Sequence, residues 1–351
     1  MPAKVRVMLV EDSPTVRTLL CHIIDRDPRL QLAAVCVSAE EALDSIEQVA
    51  PDVISMDIRL PGMDGLEATR RIMSEHPTPI VVIADSIHDT TLGIAMNALK
   101  AGALSVVEKP AGPGASAYDR VADAIATQLF IMSQVTVIRR RNAGIRHVAP
   151  RTSALQSAPP MRPTIIGMAA STGGPPALAA VLGALDKAFP VPILVVQHMG
   201  APFMEGFASW LNSQTDLTVK LAESREMPVP GVVYVAPGAS SRWLSPGNFL
   251  RLTSEPPLAS QRPAATYLFQ SLARVAGPRA VGVLLTGMGE DGARGLLDMK
   301  GAGAFTIAED ETTSVVYGMP AAAVRMGGVS LSLPQDMIAA RLNLLTAEPS
   351  T

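Results

Sequence analysis

Cysteine and long apolar runs are both scarce in this 351-residue sequence, and each scarcity excludes a class of protein. Cys21 and Cys36 are the only cysteines, which is too few for a disulfide framework or a four-thiolate zinc site. The apolar runs, such as RVMLV, PIVVIA and PILVVQ, are far shorter than the ~20 residues that a membrane helix needs. The first residues show no secretory signal pattern, so we expect a cytoplasmic protein without membrane insertion.

The sequence also has no overall excess of positive charge, since its formal net charge is −3. A nucleic-acid-binding domain carries a strong basic excess on a folded unit. Here the basic residues concentrate in residues 139–163, which contain six arginines, no acidic residue and many Pro, Ser and Ala. This segment has no apolar periodicity, so we interpret it as a flexible interdomain linker. We therefore expect no nucleic-acid partner and two domains, residues 1–138 and residues 164–351.

Both predicted domains alternate short apolar strands with helical stretches. The first begins with the strand VRVMLVED and the helix SPTVRTLLCHIIDRD, and the alternation continues through five strands. The second alternates six strands, from TIIGMAAS to AFTIAED, with helices such as PPALAAVLGALDKA. Alternation of this kind predicts parallel strands covered by helices on both faces. The predicted fold class is therefore α/β, with two doubly wound parallel-sheet domains.

Acidic side chains and one lysine follow strands of the first predicted sheet. Glu11 and Asp12 follow the first strand, Asp57 ends the third, and Lys109 ends the fifth. All of them should reach the carboxyl edge of the sheet, where open α/β sheets bind ligands. Three converging carboxylates repel one another unless a cation joins them, and Mg²⁺ prefers oxygen ligands of this kind. A lysine at the same edge can neutralise a phosphoryl oxygen. Together these residues suit transfer of a phosphoryl group onto a carboxylate.

Residues 4–130 resemble the receiver domain of response regulators, through the stretches VMLVEDSPTVR, PDVISMDIRLPGMDG and EKP. The resemblance implies a flavodoxin-like fold, Asp57 as the phosphoacceptor, Lys109 as the phosphoryl contact and a histidine kinase as the phosphodonor. It implies Mg²⁺ as the cofactor of receiver phosphorylation, held by Glu11, Asp12, Asp57 and the backbone carbonyl of Arg59.

The fourth strand departs from the receiver pattern. Receivers usually carry Thr or Ser at its end, whereas this chain has Ala84, followed by Asp85 and Ser86. The aromatic residue usual in the fifth strand is replaced by Val106. We therefore expect intact phosphate chemistry without the usual hydroxyl relay. A slip of one or two residues would let Ser86 take the place of that hydroxyl, and the sequence leaves both alternatives open.

Three strand ends of the second predicted domain carry the groups of a serine hydrolase. Ser171 closes the strand in GMAASTGGPPAL, and Asp291 follows the strand in LLTGMGEDGARG. His198, the single histidine of residues 164–351, ends the strand PILVVQH. A hydroxyl, a base and an orienting acid suffice for nucleophilic hydrolysis. Separately, each has an ordinary alternative: a phosphate-binding loop, which lacks the usual glycine patterns, a structural histidine, and a helix N-cap.

Residues 164–346 resemble the catalytic domain of chemotaxis protein-glutamate methylesterases. The resemblance lies in ASTGGPPAL, PILVVQHM, PGVVYVAPG, LLTGMGEDGARGL and GAFTIAEDETTSVVYGMPAAAV. It implies a Rossmann-like hydrolase domain that needs no cofactor for the esterase reaction. The roles that it implies are nucleophile for Ser171, general base for His198, orienting acid for Asp291, and oxyanion or substrate contacts for Thr172, Gly173 and Met288.

The expected function is demethylation of glutamate methyl esters in methyl-accepting chemoreceptors, controlled by phosphorylation. Glutamine deamidation would pass through the same acyl-enzyme. The alternatives are a non-enzymatic signalling adaptor and a response regulator with DNA-binding output, although no basic helix-turn-helix pattern is present.

The family often has a histidine where this chain has ASSRWL, and Ser and Asp where it has Ala264 and Thr266. We expect these differences to affect substrate docking or interdomain contacts rather than the chemistry.

Overall fold

The computed structural model describes residues 3–84, 97–99, 101–110, 118–135, 161–238, 241–253 and 263–347. The chain divides into two compact units, Met1–Gly144 and Ile145–Thr351, which are described separately below. The positions of Asp85 and Ser86, the greater part of the predicted linker and the first residues of ASSRWL lie outside the described residues. The predicted boundaries at residues 138 and 164 stay predictions. None of the helices in the described ranges has both the length and the apolar character that a membrane span requires.

The first unit is built on a five-stranded parallel sheet with the strand order β2-β1-β3-β4-β5. Its strands are β1 (Val5–Val10), β2 (Leu30–Cys36), β3 (Val53–Asp57), β4 (Ile80–Ala84) and β5 (Ser105–Glu108). Its helices include α1 (Pro14–Arg26), α2 (Ala39–Val49), α3 (Gly65–Glu75) and α4 (Tyr118–Met132). Every residue of β3 and β4 is buried, as expected for strands covered on both faces.

Side-chain caps begin three of these helices close to the strand ends. Ser13, Ser38 and Asp64 each accept a hydrogen bond from the backbone N–H three residues later. Pro14 occupies the first turn of α1, where its missing N–H leaves no helical hydrogen bond unmade. Because β1 ends at Val10 and α1 begins at Pro14, the loop between them is three residues long and keeps Glu11 and Asp12 at the carboxyl edge of the sheet.

The second unit contains a seven-stranded parallel sheet with the strand order β14-β13-β12-β6-β7-β9-β8. Its strands are β6 (Ile165–Ala170), β7 (Ile193–Gln197), β8 (Thr218–Leu221), β9 (Val232–Val235), β12 (Ala280–Leu284), β13 (Phe305–Glu309) and β14 (Leu331–Leu333). Its helices are α5 (Gly174–Gly183), α6 (Met204–Asn212), α7 (Ala265–Val275), α8 (Ala293–Gly301), α9 (Met319–Arg325) and α10 (Gln335–Thr346). The prediction of two parallel-sheet α/β domains is confirmed.

Several elements of the second unit go beyond the sequence prediction. An antiparallel hairpin joins β10 (Ser241–Ser245) to β11 (Phe249–Thr253). The edge strand β14 and the helices α9 and α10 complete the C-terminal part of the described chain. These elements are short or weakly amphipathic, so the apolar periodicity that reveals a strand or helix is faint in them.

Candidate catalytic and phosphorylation sites

The first unit gathers its predicted acidic residues at one edge of the sheet. Glu11 and Asp57 are buried, with 0% and 4% of their surface exposed, and Asp12 is exposed. One carboxylate oxygen from each of the three lies within 4.8 Å of the others. The parallel order of β1 and β3 produces this arrangement, because Glu11 follows β1 and Asp57 ends the neighbouring β3.

Lys109 enters this cluster from the end of β5. Its Nζ atom donates a hydrogen bond to Asp57 Oδ2 at 2.8 Å and lies 3.1 Å from Glu11 Oε2. Its backbone N–H donates to the carbonyl oxygen of Ala84 at 2.9 Å, so β4 holds the lysine in place. Glu11 Oε1 accepts a hydrogen bond from the backbone N–H of Ser13 at 3.1 Å.

Burial dominates the electrostatics of the cluster. It raises the pKa of Asp57, and Lys109 only partly opposes it. Burial, followed by the charge of Asp57, raises the pKa of Glu11. For Lys109, burial acts to lower the pKa, but the hydrogen bonds and charges of Asp57 and Glu11 outweigh it, and the pKa is raised. The two buried carboxylates therefore repel each other and share a single lysine.

These residues fit a divalent cation. Carboxylate oxygens are the ligands that a hard cation such as Mg²⁺ prefers. Glu11 Oε2 is buried and accepts no hydrogen bond from the described residues, although Lys109 lies close to it. Glu11, Asp12 and Asp57 could therefore hold such an ion. The predicted contribution of the Arg59 carbonyl stays a prediction.

Ala84 and Val106, the two departures from the receiver pattern, lie in neighbouring strands. Ala84 ends β4 and is 1% exposed, and Val106 in β5 is 8% exposed. Ala84 offers no hydroxyl at the edge where Asp57 and Lys109 meet. The role of Ser86 stays a prediction.

In the second unit, three adjacent strands carry the predicted catalytic residues. The order β12-β6-β7 places Ser171, directly after β6, between the strand that leads to Asp291 and the strand that leads to His198. His198 Nε2 lies 2.8 Å from Asp291 Oδ2, with only 6% and 3% of the two side chains exposed. His198 Nδ1 is buried and has no hydrogen-bond partner in the described part of the chain.

Asp291 is held by helix α7 rather than capping the helix that follows it, α8, whose N-cap is Gly292. Its Oδ2 accepts the backbone N–H of Ala265 at 2.6 Å, and its Oδ1 accepts the backbone N–H of Thr266 at 3.0 Å. Both N–H groups belong to the first turn of α7, whose helix dipole favours a negative charge. Burial alone would raise the pKa of Asp291, but His198 and Thr266 outweigh burial and hold it below its ordinary value.

The loop after Ser171 contains the predicted oxyanion residues. Thr172 is 9% exposed, and Gly173 is the N-cap of α5 with a φ of 73°, which glycine adopts without strain. Met288 is 43% exposed. The loop that contains Met288 passes close to Ser171, because a Cβ atom at Gly287 would lie 2.8 Å from Ser171 Cβ.

Four further residues shape this site. The carbonyl oxygen of Thr286 accepts a hydrogen bond from the backbone N–H of Ser171 at 3.0 Å. The hydroxyl of Thr286 donates a hydrogen bond to the carbonyl oxygen of Thr172 at 2.9 Å. Buried Glu309 accepts the backbone N–H of Thr286 at 2.7 Å. The other two residues are Thr266, described above, and Gln197, which precedes His198. A polar residue at the end of a buried strand was the available signal for Gln197 and Glu309.

Comparisons with known proteins agree with this arrangement of domains. The CheB methylesterase family model matches residues 166–342, and the response regulator receiver domain model matches residues 7–116. Protein-glutamate methylesterase/protein-glutamine glutaminase 2 from Paramagnetospirillum magneticum is 49% identical over 344 residues, covering 97% of each chain. The corresponding protein from Nitrosospira multiformis is 43% identical over 348 residues, covering 98% of each.

A solved structure supports the fold of the second unit. The crystal structure of the Thermotoga maritima CheB methylesterase catalytic domain matches with a TM-score of 0.51 and 38% sequence identity. The match covers 53% of this chain and 100% of that chain.

Proposed function

The chain belongs to the CheB methylesterase family, and we propose that Ser171, His198 and Asp291 perform its hydrolytic reaction. The substrates are methyl esters of glutamate side chains in chemoreceptors, from which methanol is released. The relatives are also named as protein-glutamine glutaminases, and we assign glutamine deamidation to the same three residues.

The first half of the reaction forms an ester with the serine. The hydroxyl oxygen of Ser171 attacks the ester carbonyl carbon, and His198 takes the hydroxyl proton. Because Asp291 contacts Nε2, we assign this proton to Nδ1, which has no hydrogen-bond partner among the residues that the structure describes. The tetrahedral intermediate then breaks its bond to the methoxy oxygen, His198 returns the proton to that oxygen, and methanol leaves.

The second half of the reaction releases the receptor. Water attacks the acyl carbonyl carbon while His198 takes one of its protons, and the bond to Ser171 Oγ breaks as the proton returns to that oxygen. The products are the free serine and a glutamate side chain. With glutamine as substrate, ammonia leaves in place of methanol, and the remaining steps are the same. Backbone N–H groups near Thr172, Gly173 and Met288 would stabilise the oxyanion in each tetrahedral intermediate.

Asp291 keeps the imidazole in the orientation and tautomer that the reaction needs. Its lowered pKa keeps the carboxylate ionised near neutral pH, where it stabilises the imidazolium that forms when Ser171 attacks. The backbone N–H groups of Ala265 and Thr266 fix the carboxylate before the reaction begins.

The receiver domain supplies the control. We propose that Asp57 accepts a phosphoryl group from a chemotaxis histidine kinase and that Lys109 contacts the phosphoryl oxygens. Glu11, Asp12 and Asp57 would hold Mg²⁺, and the ion would supply positive charge for the phosphoryl oxygens. The gathering of these carboxylates within 4.8 Å of one another supports this assignment.

The observation that carries the hydrolytic proposal is the buried contact of 2.8 Å between His198 and Asp291, beside the strand that ends at Ser171. The test is methanol release from methylated receptor membranes by the full chain, with and without Mg²⁺ and a small phosphodonor. We expect release that the phosphodonor increases in the wild type and leaves unchanged in Asp57→Asn. A signalling adaptor, which these findings do not favour, would bind the receptors and release no methanol.

A further inference from the structure

Gln197, the last residue of β7, has a buried amide that contacts the backbone of both the nucleophile and the base. Its Nε2 atom donates a hydrogen bond to the carbonyl oxygen of Ser171 at 2.9 Å. The same atom donates to the carbonyl oxygen of His198 at 3.0 Å. With 1% of its surface exposed, Gln197 has no access to solvent partners for this amide. A single NH₂ group therefore joins the residues that carry the hydroxyl and the imidazole.

The two carbonyl acceptors fix the orientation of this amide. Only the NH₂ group can donate to both, so Oε1 must point away from them. Oε1 is buried and accepts no hydrogen bond from the described residues. A buried acceptor without a partner costs free energy, which offsets part of what the two donated hydrogen bonds contribute. The amide therefore acts at this position through its NH₂ group, which joins the two carbonyl oxygens.

Gln197 also lies directly beneath the turn that contains Ser171. The carbonyl oxygen of Ser171 accepts a second hydrogen bond, from the backbone N–H of Gly174 at 2.8 Å. A Cβ atom at Gly174 would collide with Gln197 Oε1, so the side chain fills the space under the start of α5. A change in the amide therefore acts on the turn itself.

We propose that Gln197 is a positioning residue that sets the spacing between Ser171 and His198 during hydrolysis. It acts through the two backbone carbonyl oxygens and does not contact the reacting atoms. The inference rests on the proposed catalytic roles of Ser171 and His198. A shift of about 1 Å between reacting groups can slow an enzyme on the order of 100-fold. Loss of the amide should therefore lower kcat and leave KM unchanged.

Two variants of the full chain separate hydrogen bonding from packing. Gln197→Met keeps the length of the side chain and removes both donors, and we expect kcat to fall about 10- to 100-fold at constant KM. Gln197→Glu places a carboxylate against the two carbonyl oxygens. Burial raises the pKa of such a carboxyl, and its protonated form can donate to one carbonyl oxygen. The kcat of Gln197→Glu relative to the wild type should therefore rise as the pH falls.

Gln214→Glu is the matched control, because it makes the same change of charge in the same unit. Gln214 precedes β8, and its Nε2 atom donates an exposed hydrogen bond to the hydroxyl oxygen of Ser213 at 2.7 Å. We expect its kcat relative to the wild type to stay independent of pH. The proposal is overturned if Gln197→Met keeps the wild-type kcat. It is also overturned if Gln197→Glu folds and the ratio of its kcat to that of the wild type does not change with pH.

Two further readouts keep the test decisive. Tryptophan fluorescence shows whether each variant is folded, since Trp210 and Trp243 both belong to the second unit. If Gln197→Glu does not fold, Gln197→Met decides the question. The rate at which a sulfonyl fluoride modifies Ser171, mapped by mass spectrometry, reports on the nucleophile without receptor. Absence of methanol release by the wild type would contradict the proposed function. Equal modification rates in the wild type and Gln197→Met would contradict the positioning role.

Discussion

The hydroxyl oxygen of Thr266 accepts a hydrogen bond from the backbone N–H of Gly292 at 2.8 Å, next to the carboxylate of Asp291. In return, Asp291 Oδ1 accepts the backbone N–H of Thr266 at 3.0 Å. The first turn of α7 and the loop that follows β12 are therefore joined by reciprocal hydrogen bonds. Thr266, which the sequence analysis connected with docking, therefore helps to hold the carboxylate of Asp291, the proposed orienting acid.

Thr266→Val should weaken this support while keeping the shape of the side chain. We expect the free energy of unfolding of the second unit to fall by about 1 kcal/mol, because a buried hydrogen bond is lost. We also expect a lower kcat, since the orientation of Asp291 becomes less fixed. Urea unfolding followed by tryptophan fluorescence and a methanol-release assay measure the two effects. Thr218→Val, at an exposed position of β8, is the control and should change neither quantity. An unchanged kcat in Thr266→Val would contradict the supporting role.

Burial of Glu309 should make the stability of the second unit depend on pH. Glu309 is 0% exposed, and burial raises its pKa, although the backbone N–H of Thr286 acts in the opposite direction. When the pKa of a carboxyl is higher in the folded state than in the unfolded state, the folded protein loses stability as the pH rises from the lower value through the higher one. The loss arises because a buried charge must form. Glu309→Gln removes this loss, so the stability of the variant relative to the wild type should increase as the pH rises through that window.

Urea unfolding of the second unit at several pH values measures this effect of Glu309→Gln. Glu311→Gln is the control, because Glu311 is exposed and lies two residues further along the chain. Its stability difference from the wild type should vary little with pH. The same stability difference for Glu309→Gln at acidic and neutral pH would show that burial of the carboxylate carries no cost.

Lys109→Met should destabilise the first unit, because Glu11 and Asp57 would be left as buried carboxylates without their shared lysine. Breaking a buried ion pair of this kind costs about 3 kcal/mol. We expect Mg²⁺ to restore part of the loss and EDTA to reverse that recovery. Hydrogen exchange of the β3 amides measures both the loss of stability and its recovery with Mg²⁺. Lys4→Met, at an exposed position, is the control. Equal protection of β3 in the wild type and Lys109→Met in EDTA would contradict this reading of the cluster.

Ala84→Thr should strengthen the response of the esterase to phosphorylation. Ala84 is buried at the end of β4, beside the backbone N–H of Lys109, and has no hydroxyl to bond a phosphoryl oxygen. We therefore expect a larger increase in methanol release with phosphodonor in Ala84→Thr than in the wild type. The double variant Ala84→Thr, Asp57→Asn should not respond. No gain in Ala84→Thr would indicate that this receiver signals by a route without that hydroxyl.

The parallel sheets and the residues at their edges were predictable because both depend on local pattern. Strands such as β3 and β6 are continuous apolar runs, and side chains such as Asp57 and Ser171 end or directly follow them. Parallel pairing then brings the strand ends together whatever the details of packing. The hairpin β10–β11 was missed, because neither SRWLS nor FLRLT is a continuous apolar run of the kind that indicates a strand in a single sequence.

The hydrogen bonds that hold the candidate catalytic residues were harder to predict, because they arise from tertiary contacts. Asp291 and Thr266 are separated by 25 residues in the chain, and nothing in the local sequence indicates that the start of α7 meets the carboxylate. The hydrogen bond from Gln197 to the carbonyl oxygen of Ser171 likewise joins residues that are 26 positions apart. Residue type and spacing indicated which groups could react, whereas the contacts that orient them required the folded chain.

Ser171 is the proposed nucleophile, and methanol release from methylated receptor membranes by Ser171→Ala tests this role most directly. We expect the rate to fall by about 10³-fold or more, because removal of a catalytic nucleophile has effects of that size. Ser332→Ala, at an exposed position of β14, should keep the wild-type rate. Tryptophan fluorescence should show both variants folded. A wild-type rate of methanol release in Ser171→Ala would contradict the assignment.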